Sequence, residues 1–230
     1  MYFNFVPLIT ALLPAIGVHV SYLLAAELGH VPWCFPYIDS CTSISAVGRE
    51  SPESYIFRAS IIPTAIFMMV YWRLSCEWLR TLGSHMTNWN RVMLYLGLAA
   101  SIGLILYATV LGSVGQEFRV QRRIGVTIFY ICTFVAQFLM TGQLVALVKS
   151  QPSVIPVRIS RLLAWICVAV SLLGLTSLSL WAFYDGHNRV DDAFEWVLTL
   201  LLQLHIFVTY FAWRDSGFRA SFIVSGGRRE

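Results

Sequence analysis

Six long apolar segments, at residues 5–28, 55–74, 92–112, 124–148, 159–183 and 193–213, constrain this chain more than any other feature. About 20 consecutive apolar residues are enough for a helix to cross the hydrocarbon core of a bilayer. Within that core no water satisfies the backbone, so a lone apolar segment must form a helix. The expected fold is therefore all-α: a polytopic integral membrane protein with six transmembrane helices. Composition agrees, with 57% hydrophobic and only 12% charged residues, against about 25% charged in soluble domains. Too few polar residues are present to cover a soluble surface. No linker, low-complexity segment or internal repeat interrupts the pattern, so residues 1–230 read as a single six-helix membrane domain. The first segment lacks a basic leader and a small-residue cleavage site, and reads as a retained helix rather than a signal peptide.

Lys and Arg set the expected direction of the helices, because cytoplasmic loops are enriched in them. With both termini cytoplasmic, ten of the 16 basic residues fall inside, among them Arg73, Arg80, Arg91, Lys149, Arg158 and Arg161. Arg49, Arg58, Arg119, Arg122, Arg123 and Arg189 fall outside. The tail, residues 214–230, is then cytoplasmic. Trp33, Trp72, Trp78, Trp89, Trp181 and Trp213 lie near span ends, where amphipathic rings favour the headgroup level. The pairs Ala99 and Gly103, Ala108 and Gly112, and Gly142 and Ala146 have the spacing that lets membrane helices approach closely. The net charge of +4 is small. No basic run with interleaved aromatics is present, so no nucleic-acid partner is expected.

Residues 29–54 break the apolar pattern and form a polar outer, or lumenal, loop between the first two helices. Ser51, Pro52 and Glu53 resemble a helix start, with a serine cap, a proline at the first position and an acid in the first turn. Asp39, Ser43, Ser45, Arg49 and Glu53 crowd this loop, and Arg58 follows about one turn inside the second span. A charge at that depth snorkels, pairs or meets a ligand. These six residues are the candidate lipid-headgroup contacts. Arg122 and Arg123 precede the fourth span. With Arg49, Arg58 and Arg119 they could bind a lipid phosphate through charge-assisted hydrogen bonds.

The stretches "PYIDS", "SISAVG", "PES" and "YIFRA", within residues 36–58, resemble the Frag/DRAM/Sfk family. This family includes GPI-anchor lipid-remodelling factors, damage-regulated autophagy modulators and the CWH-type N-terminal domain. "PYI" and "PES" look like the autophagy-modulator branch, and "SISAVG" with "YIFRA" looks like the GPI-remodelling branch. The order Asp39–Ser40 inverts the usual one. The Arg-rich, Lys-poor composition also suits a bacterial member. The resemblance implies a multipass membrane protein tied to lipid remodelling, lipid asymmetry or autophagy, with no particular catalytic chemistry. It would sit in the inner membrane of a bacterium, or in an endomembrane or plasma membrane of a eukaryote. The expected partners are membrane lipids, with another membrane protein as the alternative.

Individual residues leave further readings open. Cys34 and Cys41 either close a disulfide in an oxidising compartment or remain reduced. Cys76, Cys132 and Cys167 read as packing residues. His19 and His205 lie within spans and either face one cavity or bond to neighbouring helices. His30 and His187 lie in outer loops near acids, but no zinc spacing is present, so no metal or cofactor is expected. The leading expectation is a non-catalytic membrane factor in lipid handling or remodelling that engages a headgroup or partner through its first outer loop. The competing one is an integral-membrane acyltransferase or hydrolase drawing acid–base groups from Asp39, Glu50, Glu53, His19, His187 or His205. No nucleophile-elbow, zinc or phosphate-loop motif declares an enzyme.

Overall fold

The computed structural model describes residues 4–84, 86–183 and 190–219, apart from the Trp181 side chain. Asp185, His187, Arg189 and residues 220–230 of the expected tail lie outside the described residues. Among the described residues every regular element is a helix and there is no strand: α1 Val6–Glu27, α2 Pro36–Asp39, α3 Ile44–Val47, α4 Glu53–Thr81, α5 Thr87–Thr109, α6 Gln116–Ser150, α7 Val157–Phe183 and α8 Asp191–Asp215. Six of them, α1 and α4 to α8, are long and apolar enough to cross a membrane. The two short helices α2 and α3 belong to the polar loop.

Three helices stop by the same device, α8 among them at Gly217, where Phe218 N–H closes on the Trp213 carbonyl at 3.0 Å. After α1 and α4, Gly29 and Gly83 take positive φ values of 74° and 87°, a backbone region that glycine enters without steric cost. The turns are closed by His30 N–H to the Ala25 carbonyl and by Ser84 N–H to the Leu79 carbonyl, at 2.9 and 3.0 Å. This is the Schellman pattern, which satisfies carbonyls that the helix end would leave open. Two helices outrun the apolar segments. α4 continues past residue 74, where Glu77 bridges Arg73 and Arg80 at 2.5 and 3.4 Å. α6 begins at Gln116, so Arg119, Arg122 and Arg123 lie along its first two turns or so rather than before its start.

The long helices form a closed ring. α1 packs on α4, α4 on α5, α5 on α6, α6 on α7 and α7 on α8, and α8 returns to α1. Close approaches fix three of these contacts. A Cβ on Gly17 of α1 would lie 2.0 Å from Ser60 Oγ of α4. One on Gly97 of α5 would lie 2.1 Å from the Trp72 ring of α4. Gly103 of α5 and Gly125 of α6 each approach the backbone of the other's helix, to 2.7 Å from an added Cβ. Of the small-residue pairs expected to bring helices together, Gly103 does so. Gly142 meets nothing within 4 Å, and Gly112 lies in the turn after α5. Spacing alone does not reveal which face of a helix meets a neighbour.

Packing falls into two apolar clusters. One, at the loop end, gathers Val18, Tyr22, Phe57, Ile61, Leu104 and Trp196. The other, toward the opposite end, gathers Met68, Tyr71, Trp72, Trp78, Met140 and Trp213. Trp72, Trp78 and Trp213 were expected at the headgroup level, but all three are 0% exposed. Trp213 stacks on Tyr71 with centroids 5.9 Å apart and meets Trp78 at 6.2 Å. Ring packing inside the bundle holds these indoles. Trp33 and Trp89 do lie at the surface.

Candidate functional site

The polar loop is fastened to the bundle along its whole length. The Gly29 turn aims His30 at α4, where its Nδ1 lies 2.7 Å from Glu53 Oε1. Glu53 is 0% exposed, and its second carboxylate oxygen has no partner. Ser51 does not cap α4. The helix starts at Glu53 after Pro52, with no side-chain cap. Farther along, the Tyr22 hydroxyl of α1 accepts from Cys34 N–H at 2.9 Å and donates to the Cys34 carbonyl at 2.7 Å. Cys34 and Cys41 are joined by a disulfide with Cα atoms 6.6 Å apart. Inside that small ring, Asp39 accepts from Phe35 N–H at 2.6 Å and closes the turn around α2.

The second half of the loop is bound to α8. Ser40 takes a left-handed conformation, φ 49°, and its hydroxyl accepts from Ala193 N–H at 3.1 Å. It thereby satisfies one of the first-turn amides of α8 that the helix itself cannot pair. The Trp196 indole donates to the Thr42 carbonyl at 2.8 Å. Ser43 caps α3 by accepting from Ala46 N–H at 3.1 Å. It also lies 3.1 Å from the Ser45 hydroxyl, to which Arg49 donates at 3.5 Å. Asp39 and Ser43 thus shape the backbone of the loop, while Ser45 links the Ser43 and Arg49 side chains.

His19 sits on the bundle surface between α1 and α2. Its Nδ1 donates to the Ala15 carbonyl at 2.7 Å, and its Nε2 faces the Tyr37 hydroxyl at 2.9 Å. Tyr37 is half-buried, and loss of hydration pushes its phenol pKa up. Both rings pack on Trp196. His205 lies elsewhere, fully buried, with Nε2 2.8 Å from Thr141 Oγ1. Cys167 donates to the same threonine at 3.4 Å. The two histidines are not brought together, and His205 lies in packed core away from any cavity described below.

The arginines divide into two roles. Arg58 donates through Nη2 to the Leu111 carbonyl just beyond α5, a position where a cation complements the helix dipole. Its Nε is buried and unpartnered. Arg49 is exposed, and it acts electrostatically on Tyr107, Arg122, Asp192 and Glu195. Arg122 in turn has Arg119 and Arg123 as charged neighbours. Loop and α6 therefore build one basic group beside two acids of α8.

Beneath this group the ring is not completely filled. A cavity of about 60 Å³ is lined by α1, α3, α4, α5, α6 and α8. Its lining is almost entirely apolar, with Val18, Phe57, Ile61, Leu104 and Phe129 among it, and Ile44 of α3 contributes from the loop. Three polar groups stand out. Glu195 borders the cavity with the Ile44 backbone amide facing its carboxylate. The Tyr107 hydroxyl and Thr133 Oγ1, both on residues at least nine-tenths buried, have no hydrogen-bond partner. A second groove between α6, α7 and α8 shares Tyr130 and Glu195 with the cavity. Tyr130 bonds Thr199 at 2.6 Å, tying α6 to α8 between the two spaces.

Glu195, Tyr107, Tyr130 and Trp196 were not singled out from the sequence. The acid at the third position of the last apolar segment was the available signal. The tyrosines resemble any interfacial aromatic until packing turns them inward. No group of three or more His, Cys, Asp or Glu that could hold a metal exists among the described residues.

Residues 2–216 match the family model described as Frag1/DRAM/Sfk1/Cwh43P N-terminal domain. No curated protein and no solved structure matches the chain.

Proposed function

The chain belongs to the Frag1/DRAM/Sfk1/Cwh43P N-terminal-domain family, and from that premise we propose that it is a non-catalytic multipass membrane factor in lipid handling or remodelling. Its first loop, on the outer or lumenal side, engages an anionic lipid headgroup. The reading is carried by Arg122 of α6, which lies within electrostatic reach of Arg49 of the loop and of Arg119 and Arg123 on its own helix. Guanidinium groups bind phosphate through paired, charge-assisted hydrogen bonds. Asp39, Ser43, Ser45 and Glu53 hold the loop in shape around this group, and Arg58 steadies the turn after α5 from below. The disulfide and the Tyr22, Ser40 and Trp196 contacts support a preformed surface, which spares the ordering cost that a loose loop would incur on binding.

A second reading, an integral-membrane acyltransferase or hydrolase, draws support from the Glu195 carboxylate beside an apolar cavity. The acid–base residues expected from the sequence do not favour it: Asp39 closes its own turn, Glu53 meets His30, and His205 is sealed in the core.

Lipid profiling of cells lacking the protein, with wild-type and Arg49→Ala/Arg122→Ala proteins expressed at equal levels, tests the first reading. One anionic lipid class should shift and return only with wild type. Full rescue by the double variant would sink the headgroup assignment. Turnover of a lipid by the purified protein, abolished by Glu195→Gln, would transfer support to the second reading.

A further inference from the structure

We propose that the cavity inside the ring is a binding slot for one hydrocarbon chain of a loop-side-leaflet lipid, reached sideways through the groove between α7 and α8. The inference rests on the lipid-handling reading and extends it from the headgroup to the chain.

The slot is layered as a lipid is layered. Arg49 and Arg122 lie at the loop end, near Tyr107. The unpartnered Tyr107 hydroxyl comes next, on the last turn of α5. A buried donor without a partner is costly, and the carbonyl of an acyl ester is an acceptor that would satisfy it. Below it the exposed lining is almost wholly apolar in area, although Thr64, Thr133 and Thr199 belong to it. Along α4 it runs from Phe57 to Met68, about 16 Å at 1.5 Å per residue. The cavity of about 60 Å³ is several times the ~10–15 Å³ that one water requires. That volume is far below the roughly 300–1,000 Å³ of pockets that hold drug-sized ligands, so it suits part of a hydrocarbon chain rather than a headgroup or a ring system.

Lateral access follows from how α8 is flanked. The groove over α7 contains Leu173, Gly174, Leu178, Phe194 and Leu198 and reaches Glu195 and Tyr130, which it shares with the slot. α7 is the least buried of the six long helices, with 22% of its apolar window buried against 44% in the others. Its outer face therefore borders lipid, and lipid chains are the molecules at hand. The Tyr130–Thr199 hydrogen bond spans the passage and must open for a chain to pass.

Purified protein in phosphatidylcholine nanodiscs, doped with a phospholipid carrying a diazirine midway along its acyl chain, tests this. After irradiation, mass spectrometry should locate label on Ile61, Leu104 or Phe129 as well as on lipid-facing Leu172 and Leu175. Ile61→Trp fills the slot, and Gly174→Trp fills the groove, where an added Cβ meets nothing within 4 Å. Both should reduce interior label to background and leave the Leu172 and Leu175 label unchanged. Thr64→Leu, a smaller filling of the slot, guards against misfolding of Ile61→Trp and should act in the same direction. Label confined to lipid-facing residues in wild type would overturn the slot. Interior label undiminished by Gly174→Trp would overturn the route. Arg49→Ala/Arg122→Ala should keep interior label, so failure of the headgroup reading and failure of the slot are separately visible.

Discussion

The Trp196 indole nitrogen of α8 donates to the Thr42 carbonyl of the loop at 2.8 Å, across 154 positions of sequence. Trp196 is 2% exposed and packs against Tyr22, Tyr37 and His19. One side chain of the last helix thus holds the first loop against the first helix. Trp196→Phe keeps most of the packing and loses the hydrogen bond, so it should cost about 1 kcal/mol. Trp196→Ala should cost about 3–5 kcal/mol. Unfolding in detergent, followed by tryptophan-independent circular dichroism, measures both. The loop of the alanine variant should also become sensitive to protease.

The disulfide has a direct assay. Cys34 and Cys41 should resist alkylation until a reductant is added, whereas loss of either by substitution should leave the other reactive. Closing so short a loop stabilises by about 2–3 kcal/mol on the chain-entropy account. Cys34→Ser/Cys41→Ser should therefore lower stability by about that amount and loosen α2 first, because α2 lies inside the closed ring. Alkylation of both cysteines in untreated protein would refute the pairing.

His30 and Glu53 form a pair that should behave non-additively. His30→Ala leaves the fully buried Glu53 without its one side-chain partner, a change that should cost about 1–3 kcal/mol. Replacing Glu53 by Gln in that background should recover part of the loss, because a neutral amide tolerates burial better than a carboxylate. A double-mutant cycle on thermal unfolding gives the coupling. Strict additivity would show that the 2.7 Å contact does not contribute.

Arg58 holds the turn after α5 through the Leu111 carbonyl. Its removal should be felt as stability, about 1.5–3 kcal/mol for a hydrogen bond from a charged donor. Arg58→Lys should retain part of it. If Arg58→Ala melts like wild type and loses lipid-dependent function, the residue serves the headgroup rather than the turn.

Helix contact between α1 and α4 hinges on Gly17 and Ser60. Gly17→Ala should overpack the crossing and cost about 1–3 kcal/mol. Ser60→Gly removes the atoms that an added Cβ would strike and should rescue it. Denaturation of the three variants side by side reads the effect.

Much of the architecture was legible before any packing was known. Six apolar segments became six long helices because hydrocarbon leaves the backbone no other partner than itself. The family resemblance in residues 36–58 could likewise be read from local motifs, and a match spanning residues 2–216 supports it. Side-chain roles were less legible, and the reasons are particular. Asp39, a candidate headgroup contact, closes a turn. Arg58 looked misplaced in apolar sequence and caps a helix more than fifty positions away. Trp72, Trp78 and Trp213 looked interfacial and are core. For Arg58 and these tryptophans the partners come largely from segments remote in sequence, so periodicity and spacing carry no trace of them, whereas Asp39 meets an amide only four positions away.

The sequence by itself determined the class of this protein, its number of membrane helices and the position of one polar loop, because transfer of apolar and polar groups between water and lipid acts segment by segment. Tertiary structure alone decided that the ring closes through α8 and α1, that the loop is fastened to α8, and that Glu195 and Tyr107 border an unfilled slot. Those outcomes depend on which helix faces meet, and that is set by the fit of side chains such as Gly17 against Ser60 or Trp72 against Gly97. In a bilayer the lipid is as apolar as the helices, so packing and hydrogen bonds choose the neighbours.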